Sequence, residues 1–345
     1  MPTELCRLHE PRSEIILDDS VSICLETIPG YKNWEEMRLV RRRSVSDLLF
    51  HVRDCNGDEF ALRILGDRSY DYYCRCYHYQ KQIDVALGIG SVVDSELDYG
   101  LCRSGQYVYF IMPWQHDRSY DSVAKRLRFD DKLKPAASAA AYIKAASSIA
   151  RQEAVGKDAG LLKFADGYNS EKWLNQIDDR VAKVRRCLSS KGLDIAALEH
   201  FRRFYRSNRH LLASRTLTIC YNRFAPNMWY YQPDGSIRVP LISEWSYADE
   251  WYSLNGLLTD IHAVCEDFAV LLIDFSFDFS PPEEFFICSA IYNMLNVLEQ
   301  LACCSDLRSD KARKLISRLR SIDQMYSKFT SSIPTWYKQI STVGR

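Results

Sequence analysis

Strand-like patterning of apolar and polar positions begins at Met37. Met37–Arg42 and Asp47–Val52 alternate or run apolar, as a half-buried strand does. Cys55-Asn56-Gly57-Asp58 follows, and Asn-Gly predicts a tight hairpin turn, because both central residues of the favoured turn need positive φ. Glu59–Leu65 reads as the returning strand. Residues 68–87 lack Gly and Pro, are rich in Tyr and predict a helix, which Gly88-Ile89-Gly90 ends. Two further strands are expected at Ser91–Glu96 and Gln106–Met112, around the Ser104-Gly105 turn. The order is three strands, a helix and two strands. Residues 1–30 show no strong periodicity.

Beyond Pro113-Trp114 the period becomes helical. Helices are expected at Ser119–Leu127, Ala136–Arg151, Ser170–Ser189 and Ile195–Ala213, then at Trp251–Leu272, Pro282–Ala302 and Asp310–Thr330. Within Ser170–Ser189, Trp173, Ile177, Val181 and Val184 form an apolar stripe. A hairpin at 228–242, turning at Pro233-Asp234-Gly235, interrupts the helices. The chain thus reads as two parts, a β-rich 1–113 and a helical 114–345, the latter carrying a loop at 220–227 and the hairpin at 228–245.

Composition narrows the classes. The 345 residues exceed a usual single domain, and 47% hydrophobic with 26% charged residues is ordinary for a globular chain with a sizeable core. Lys+Arg and Asp+Glu are 45 each, which argues against a dedicated nucleic-acid or anionic-membrane binder. The run Arg202-Arg203-Phe204-Tyr205-Arg206 mixes cations with aromatics, yet an amphipathic helix face accounts for it. Twelve cysteines are scattered without Cys-x-x-Cys or zinc spacing, so small buried hydrophobes in a reducing cytosol are the expectation. No basic-then-apolar leader opens the chain, and apolar runs such as Phe268–Ile273 are too short to span a membrane.

Chemistry concentrates at Cys220-Tyr221-Asn222-Arg223-Phe224-Ala225-Pro226-Asn227 and at Glu244-Trp245-Ser246-Tyr247-Ala248-Asp249-Glu250-Trp251-Tyr252-Ser253-Leu254. A loop with an Asn near each end, a hairpin and then a carboxylate is the layout of a phosphoryl-transfer site. These segments resemble the aminoglycoside phosphotransferase and choline kinase branch of the protein-kinase-like superfamily. Its loop reads His-Gly-Asp-x-His-x-x-Asn, and its second strand ends Ile-Asp-Trp-Glu-Tyr-Ala before Asp-Pro-x-Tyr-Asp-Leu. The Trp, Tyr-Ala, Asp and Tyr-x-Leu positions fall in step here. The resemblance runs from about Met37 to Leu258 and implies an α+β, bilobal fold. Its small lobe would be a five-stranded antiparallel sheet with one helix, and its larger lobe mainly helical with one β-hairpin.

The resemblance also assigns roles. Asn227 and Glu244 fall on the metal-binding Asn and Asp, implying Mg²⁺ with a carboxylate one methylene longer than usual. Arg63 falls on the phosphate-binding Lys of the third strand, and Arg42, Arg43, Ser44 and Met112 lie on the side of an ATP or other nucleotide. Asn222 falls on the catalytic Asp, and an amide cannot act as a general base, which is worth about 10²–10⁴-fold in rate. Cys220 and Phe224 replace both His residues of the loop. The turn Arg41-Arg42-Arg43-Ser44-Val45-Ser46 lacks the small residues that let backbone approach phosphates; its arginines either grip phosphate by side chain or form a solvated strand end. Asp71 is the only acid in the first turns of the predicted helix and sits too early, leaving Arg63 without the usual helix partner. Three readings follow: a pseudokinase acting through ligand or partner binding, an active ATP/Mg²⁺ kinase with an atypical site, or an interaction scaffold in a larger complex.

Overall fold

The hairpin predicted at Asn56-Gly57 joins β4 to β5, but only Gly57 of the two takes positive φ, and Arg53 pairs with Glu59, one residue off the register of a two-residue turn. Gly57 takes φ +85°, and Asp54 Oδ1 accepts the backbone N–H groups of Asn56 (2.8 Å) and Asp58 (2.9 Å). In the computed structural model, residues 14–18, 21–44, 47–66, 69–88, 99–102, 107–114, 119–155, 169–193, 195–221, 229–239 and 245–343 are described. Strands β1 (Glu14–Asp18) and β2 (Val21–Cys24) pair antiparallel in a stretch without a periodic signal. β3 (Trp34–Ser44), β4 (Asp47–Asp54) and β5 (Glu59–Leu65) follow, then α1 (Tyr70–Ala86), β6 (Tyr99–Leu101) and β7 (Val108–Pro113). The strand expected at Ser91–Glu96 lies outside the described residues. β3 to β7 make a five-stranded antiparallel sheet in the order β3-β4-β5-β7-β6.

Alternation fixes what each face of this sheet does. Leu48, Phe50 and Val52 of β4, Leu62 and Ile64 of β5, and Tyr107 and Tyr109 pack with Leu25, Ile28, Trp34 and Met37 in one core. The last five residues of β5 are all buried, so the strand is covered on both faces. Covering the second face is α1, capped by Ser69, whose Oγ accepts from the Tyr72 N–H at 3.3 Å. Its Tyr73 ring meets Phe110 of β7 edge to face, with centroids 6.4 Å apart. The tyrosine stripe of α1 is therefore packing surface. Gly66 is required by close approach: a Cβ there would lie 2.3 Å from the Tyr107 ring.

The second part of the chain is mainly helical: α2 (Tyr120–Ala124), α3 (Leu133–Val155), α4 (Ser170–Ser190) and α5 (Ala196–Asn208). Then come β8 (Leu217–Tyr221), β9 (Tyr230–Tyr231), β10 (Ile237–Arg238), β11 (Trp245–Asp249), α6 (Glu250–Val264), α7 (Glu266–Ser276), α8 (Glu283–Ala302), α9 (Asp310–Met325) and α10 (Thr335–Val343). The stripe of α4 buries Trp173, Ile177, Val184 and Leu188, whereas Val181 is only half-buried. α5 buries Phe201, Phe204 and Tyr205 and leaves Arg203 and Arg206 exposed, an amphipathic face. What reads as one helix at 251–272 is two, because Cys265 adopts extended geometry (φ −157°, ψ 104°) between α6 and α7.

α8 lies at the centre of the helical core, which it shares with α4, α5 and α9. By length and composition it could cross a membrane, longer than any apolar run singled out from sequence, but most of its apolar stretch is buried within the protein, as in a core helix. Arg180 of α4 holds Glu299 of α8 through two bonds of 2.7 Å. After α9 three consecutive residues, Ser327, Lys328 and Phe329, take positive φ of 52–59°. Left-handed conformation disfavours side chains, and the segment holds Phe329 buried against Phe204 at 5.0 Å. By its contacts the chain divides into two compact units: Met1–Arg118 with Trp229–Gln232 and Arg238–Ser243, and Ser119–Met228 with Pro233–Ile237 and Glu244–Arg345.

Candidate functional site

Arg63 stands in the middle of β5, with Leu49 and Phe110 as its cross-strand neighbours. Cross-strand partners share a face, so Asp47, two residues before Leu49, lies on that face and diagonal to Arg63. Diagonal neighbours are within reach of long side chains. Arg63 Nε donates to Asp47 Oδ1 and Nη2 to Oδ2, each at 3.1 Å. Two parallel charge-assisted bonds are the strongest geometry open to a guanidinium. The pair is nearly closed off, with side chains 8% and 14% exposed. The carboxylate that meets the cation of β5 thus comes from the neighbouring strand, whereas the resemblance places it on the helix.

Arg75, Cys76, Tyr77, His78 and Tyr79 occupy the part of α1 where the resemblance places a Glu, and of these Cys76 is 1% exposed. Burial pushes its thiol up to about 12, with Arg63 among the charges pulling the other way. A neutral thiol cannot anchor a cation as a carboxylate does. Arg42 and Ser44 pair with Leu48 and Asp47 at the end of β3, and the register shifts between them at Arg43; their side chains, and Val45 and Ser46, lie outside the described residues. Met112 pairs with Ala61 and is 6% exposed.

In the helical unit β8 and β11 form an antiparallel ladder, from Leu217 opposite Asp249 to Tyr221 opposite Trp245. The hairpin expected at 228–242 is a smaller pair, β9 with β10. Asn222 directly follows the Tyr221–Trp245 pair and Glu244 directly precedes it. Asn222, Asn227 and Glu244 lie outside the described residues; the ladder fixes that the strands leading to Asn222 and from Glu244 end side by side. Cys220 is buried, its Sγ 3.4 Å from the Thr218 carbonyl oxygen and 3.6 Å from that of Ala248. Burial, reinforced by the Asp249 and Glu250 carboxylates, pushes this thiol up to about 12. The side chain in the place of the family's first His is therefore uncharged and turned to backbone carbonyls.

Asp249, at the end of the ladder, is fully buried. Its Oδ1 caps α6 by accepting the Trp251 N–H at 3.0 Å. Arg215, just before β8, donates to both carboxylate oxygens at 3.0 and 3.1 Å and lies over the Trp251 ring. The Tyr292 hydroxyl of α8 donates to Oδ2 and receives the Trp173 indole N–H at 3.3 Å. Burial and the adjacent Asp249 charge push Tyr292 well above its ordinary value. Asp249 thus serves as an architectural joint at the Leu217 end of the ladder, the end away from Tyr221. Asp47, Arg215 and Tyr292 were not singled out from sequence. Counting from a two-residue Asn56-Gly57 turn sets Phe50 opposite Arg63 and misses Asp47 by one residue, and no local signal points to Arg215 or Tyr292. Among the described residues, no group of three or more His, Cys, Asp or Glu side chains is placed to hold a metal ion.

No protein-family model matches the sequence, and no curated protein matches it either. Solved structures do match in fold. The GDP and kanamycin complex of APH(2")-IIia superposes with TM-score 0.58 at 13% identity, covering 87% of this chain and 96% of that one. A choline/ethanolamine kinase family protein from Mesorhizobium loti gives TM-score 0.55 at 15% identity over 89% of this chain and 96% of that one. The ADP-bound aminoglycoside phosphotransferase APH(2'')-Ib gives 0.53 at 14% over 91% and 96%. The chain thus shares the fold of these aminoglycoside phosphotransferase and choline/ethanolamine kinase family structures.

Proposed function

We propose that the chain is a pseudokinase: a phosphotransferase-like protein with little or no phosphoryl transfer, acting by binding a small-molecule ligand or a protein partner. The observation that carries this reading is the buried bidentate pair of Arg63 with Asp47. A carboxylate beside this cation is ordinary in the family, but here the pair is closed off, at 8% and 14% exposure, which leaves little of the guanidinium for phosphate oxygens. Asn222 at the place of the catalytic Asp points the same way, since an amide accepts no proton at neutral pH. Cys220, uncharged, stands where a His is expected, and Arg75 to Tyr79 of α1 hold no carboxylate where a Glu is expected.

A second reading keeps the chain as an ATP- and Mg²⁺-dependent kinase of a hydroxyl group. Asn227 and Glu244 carry the oxygen donors that Mg²⁺ prefers, and two of the similar structures are described with a bound nucleoside diphosphate. Bound Mg²⁺ would neutralise charge on the nucleotide phosphates, and loose phosphoryl transfer leans on positioning more than on a base. The experiment that separates the readings is a transfer assay on the full chain with radiolabelled ATP and Mg²⁺ over a panel of hydroxylated acceptors, beside a thermal-shift titration. The pseudokinase reading expects no acceptor phosphorylation, and none gained in Asn222→Asp, because Arg63 stays matched by Asp47. Metal-dependent transfer by the unaltered chain that Asn222→Ala abolishes overturns it.

A further inference from the structure

A pocket of about 740 Å³ opens between α4, α5 and α8, all within the helical unit. Its volume falls in the range of small-molecule sites. Leu188, Phe201, Leu295 and Leu298 line it and are buried, at 1%, 4%, 0% and 3% exposure. None of the residues to which the kinase-like resemblance assigns a role lies in it.

The polar part of the lining is unbalanced. Arg185, Arg202, Arg206 and Arg209 line the pocket against two carboxylates, Asp178 and Glu199. Both carboxylates are engaged. Asp178 accepts the Tyr205 hydroxyl at 2.6 Å and pairs with Arg209, and Glu199 accepts Arg202 Nη1 at 3.0 Å. Although burial works against ionisation, Arg209 and Tyr205 hold the Asp178 carboxyl below its ordinary value, so it is charged at neutral pH. Arg185 and Arg206 are exposed and have no carboxylate partner among the described residues. The Arg202 Nε is buried without a hydrogen-bond partner. Two uncompensated guanidinium groups thus border an apolar cavity, in a chain whose net charge is zero.

We infer that this pocket binds one amphipathic anion, an acyl chain ending in a carboxylate or phosphate. The chain replaces water against Leu188, Leu193 and Leu298, and the head meets Arg185 and Arg206, whose planar forks match carboxylate and phosphate oxygens. An ammonium head would meet uncompensated like charge. The site stands apart from phosphoryl transfer and holds whether or not transfer survives.

Calorimetric titration of the full chain tests this, with dodecyl phosphate and dodecanoate below their micelle concentrations, dodecyltrimethylammonium as the cationic control, and phosphatidylglycerol vesicles. Both anions bind one per chain, and the cation binds at least roughly tenfold more weakly, the scale of one lost charge-assisted bond. The double variant Arg185→Gln/Arg206→Gln loses about tenfold or more in affinity for dodecyl phosphate at an unchanged melting temperature. Leu193→Trp, which fills the pocket from a half-buried position, abolishes binding. Equal affinity for cation and anion, unchanged affinity in the arginine double variant, binding to vesicles alone, or no binding of either anion overturns the inference.

Discussion

A guanidinium as enclosed as that of Arg63 is tolerable because both oxygens of Asp47 meet it. Removing one partner of such a pair leaves an uncompensated buried charge, at a cost of about 3–5 kcal/mol. Asp47→Asn is therefore expected to lower the unfolding free energy by about that amount, read as a reduced urea midpoint at unchanged m-value. Exchanging both partners, as Asp47→Leu with Arg63→Met, recovers most of it, since a well-packed apolar pair often matches a buried ionic one. The hairpin was legible in the sequence, but the pair was not: a two-residue Asn56-Gly57 turn sets Phe50 opposite Arg63, whereas the turn that forms sets Leu49 there and so puts Asp47 diagonal to it.

Between elements, Asp249 joins four parts of the helical unit: the end of β11, the first turn of α6, the segment before β8 through Arg215, and α8 through Tyr292. Asp249→Ala strands a buried guanidinium and a buried hydroxyl, and about 3–5 kcal/mol of destabilisation is expected. Tyr292→Phe removes one hydrogen bond to a charged group and costs about 1.5–3 kcal/mol. Hydrogen exchange checks both: the amides of β8 and β11 lose protection in Asp249→Ala far more than in Tyr292→Phe. Sequence reading found the Asp249 position but not its partners, because Arg215 and Tyr292 lie 34 and 43 positions away. The same distance hid the β8–β11 ladder: Leu217–Tyr221 is a short apolar run whose partner comes only after the hairpin. The break between α6 and α7 escaped notice for the opposite reason, since Cys265 is neither Gly nor Pro and the apolar pattern runs through it.

Across the molecule the cysteines behave mainly as core. Cys76, Cys220 and Cys288 are buried, and burial moves each thiol from 9.0 to about 12. Their folded values lie above the unfolded ones, so the stabilisation is complete below the unfolded thiol value of about 8.5. It is lost progressively as pH rises from there toward about 12. Urea midpoints measured at neutral and at increasingly alkaline pH are expected to fall steeply on the alkaline side, and Cys288→Ala to flatten that fall. Tyr326, pushed up by burial, adds to the trend in the same direction. The sequence made small buried hydrophobes the expectation for all the cysteines, but Cys55 and Cys303 are exposed. The adjacent Cys303 and Cys304 differ because only Cys304 turns into the core at the end of α8.

Among the described residues β3 is the outer strand of its sheet, and it carries Leu39 and Val40 at 45% and 44% exposure. An outer strand with apolar side chains is a template on which a second copy can add its own strand. Arg38 precedes this pair and Arg41, Arg42 and Arg43 follow it. Two copies brought edge to edge would set these like charges against each other, so the basic run disfavours pairing through this edge. That protection requires no phosphate, and it gives Arg42 and Arg43 a role that is independent of transfer chemistry.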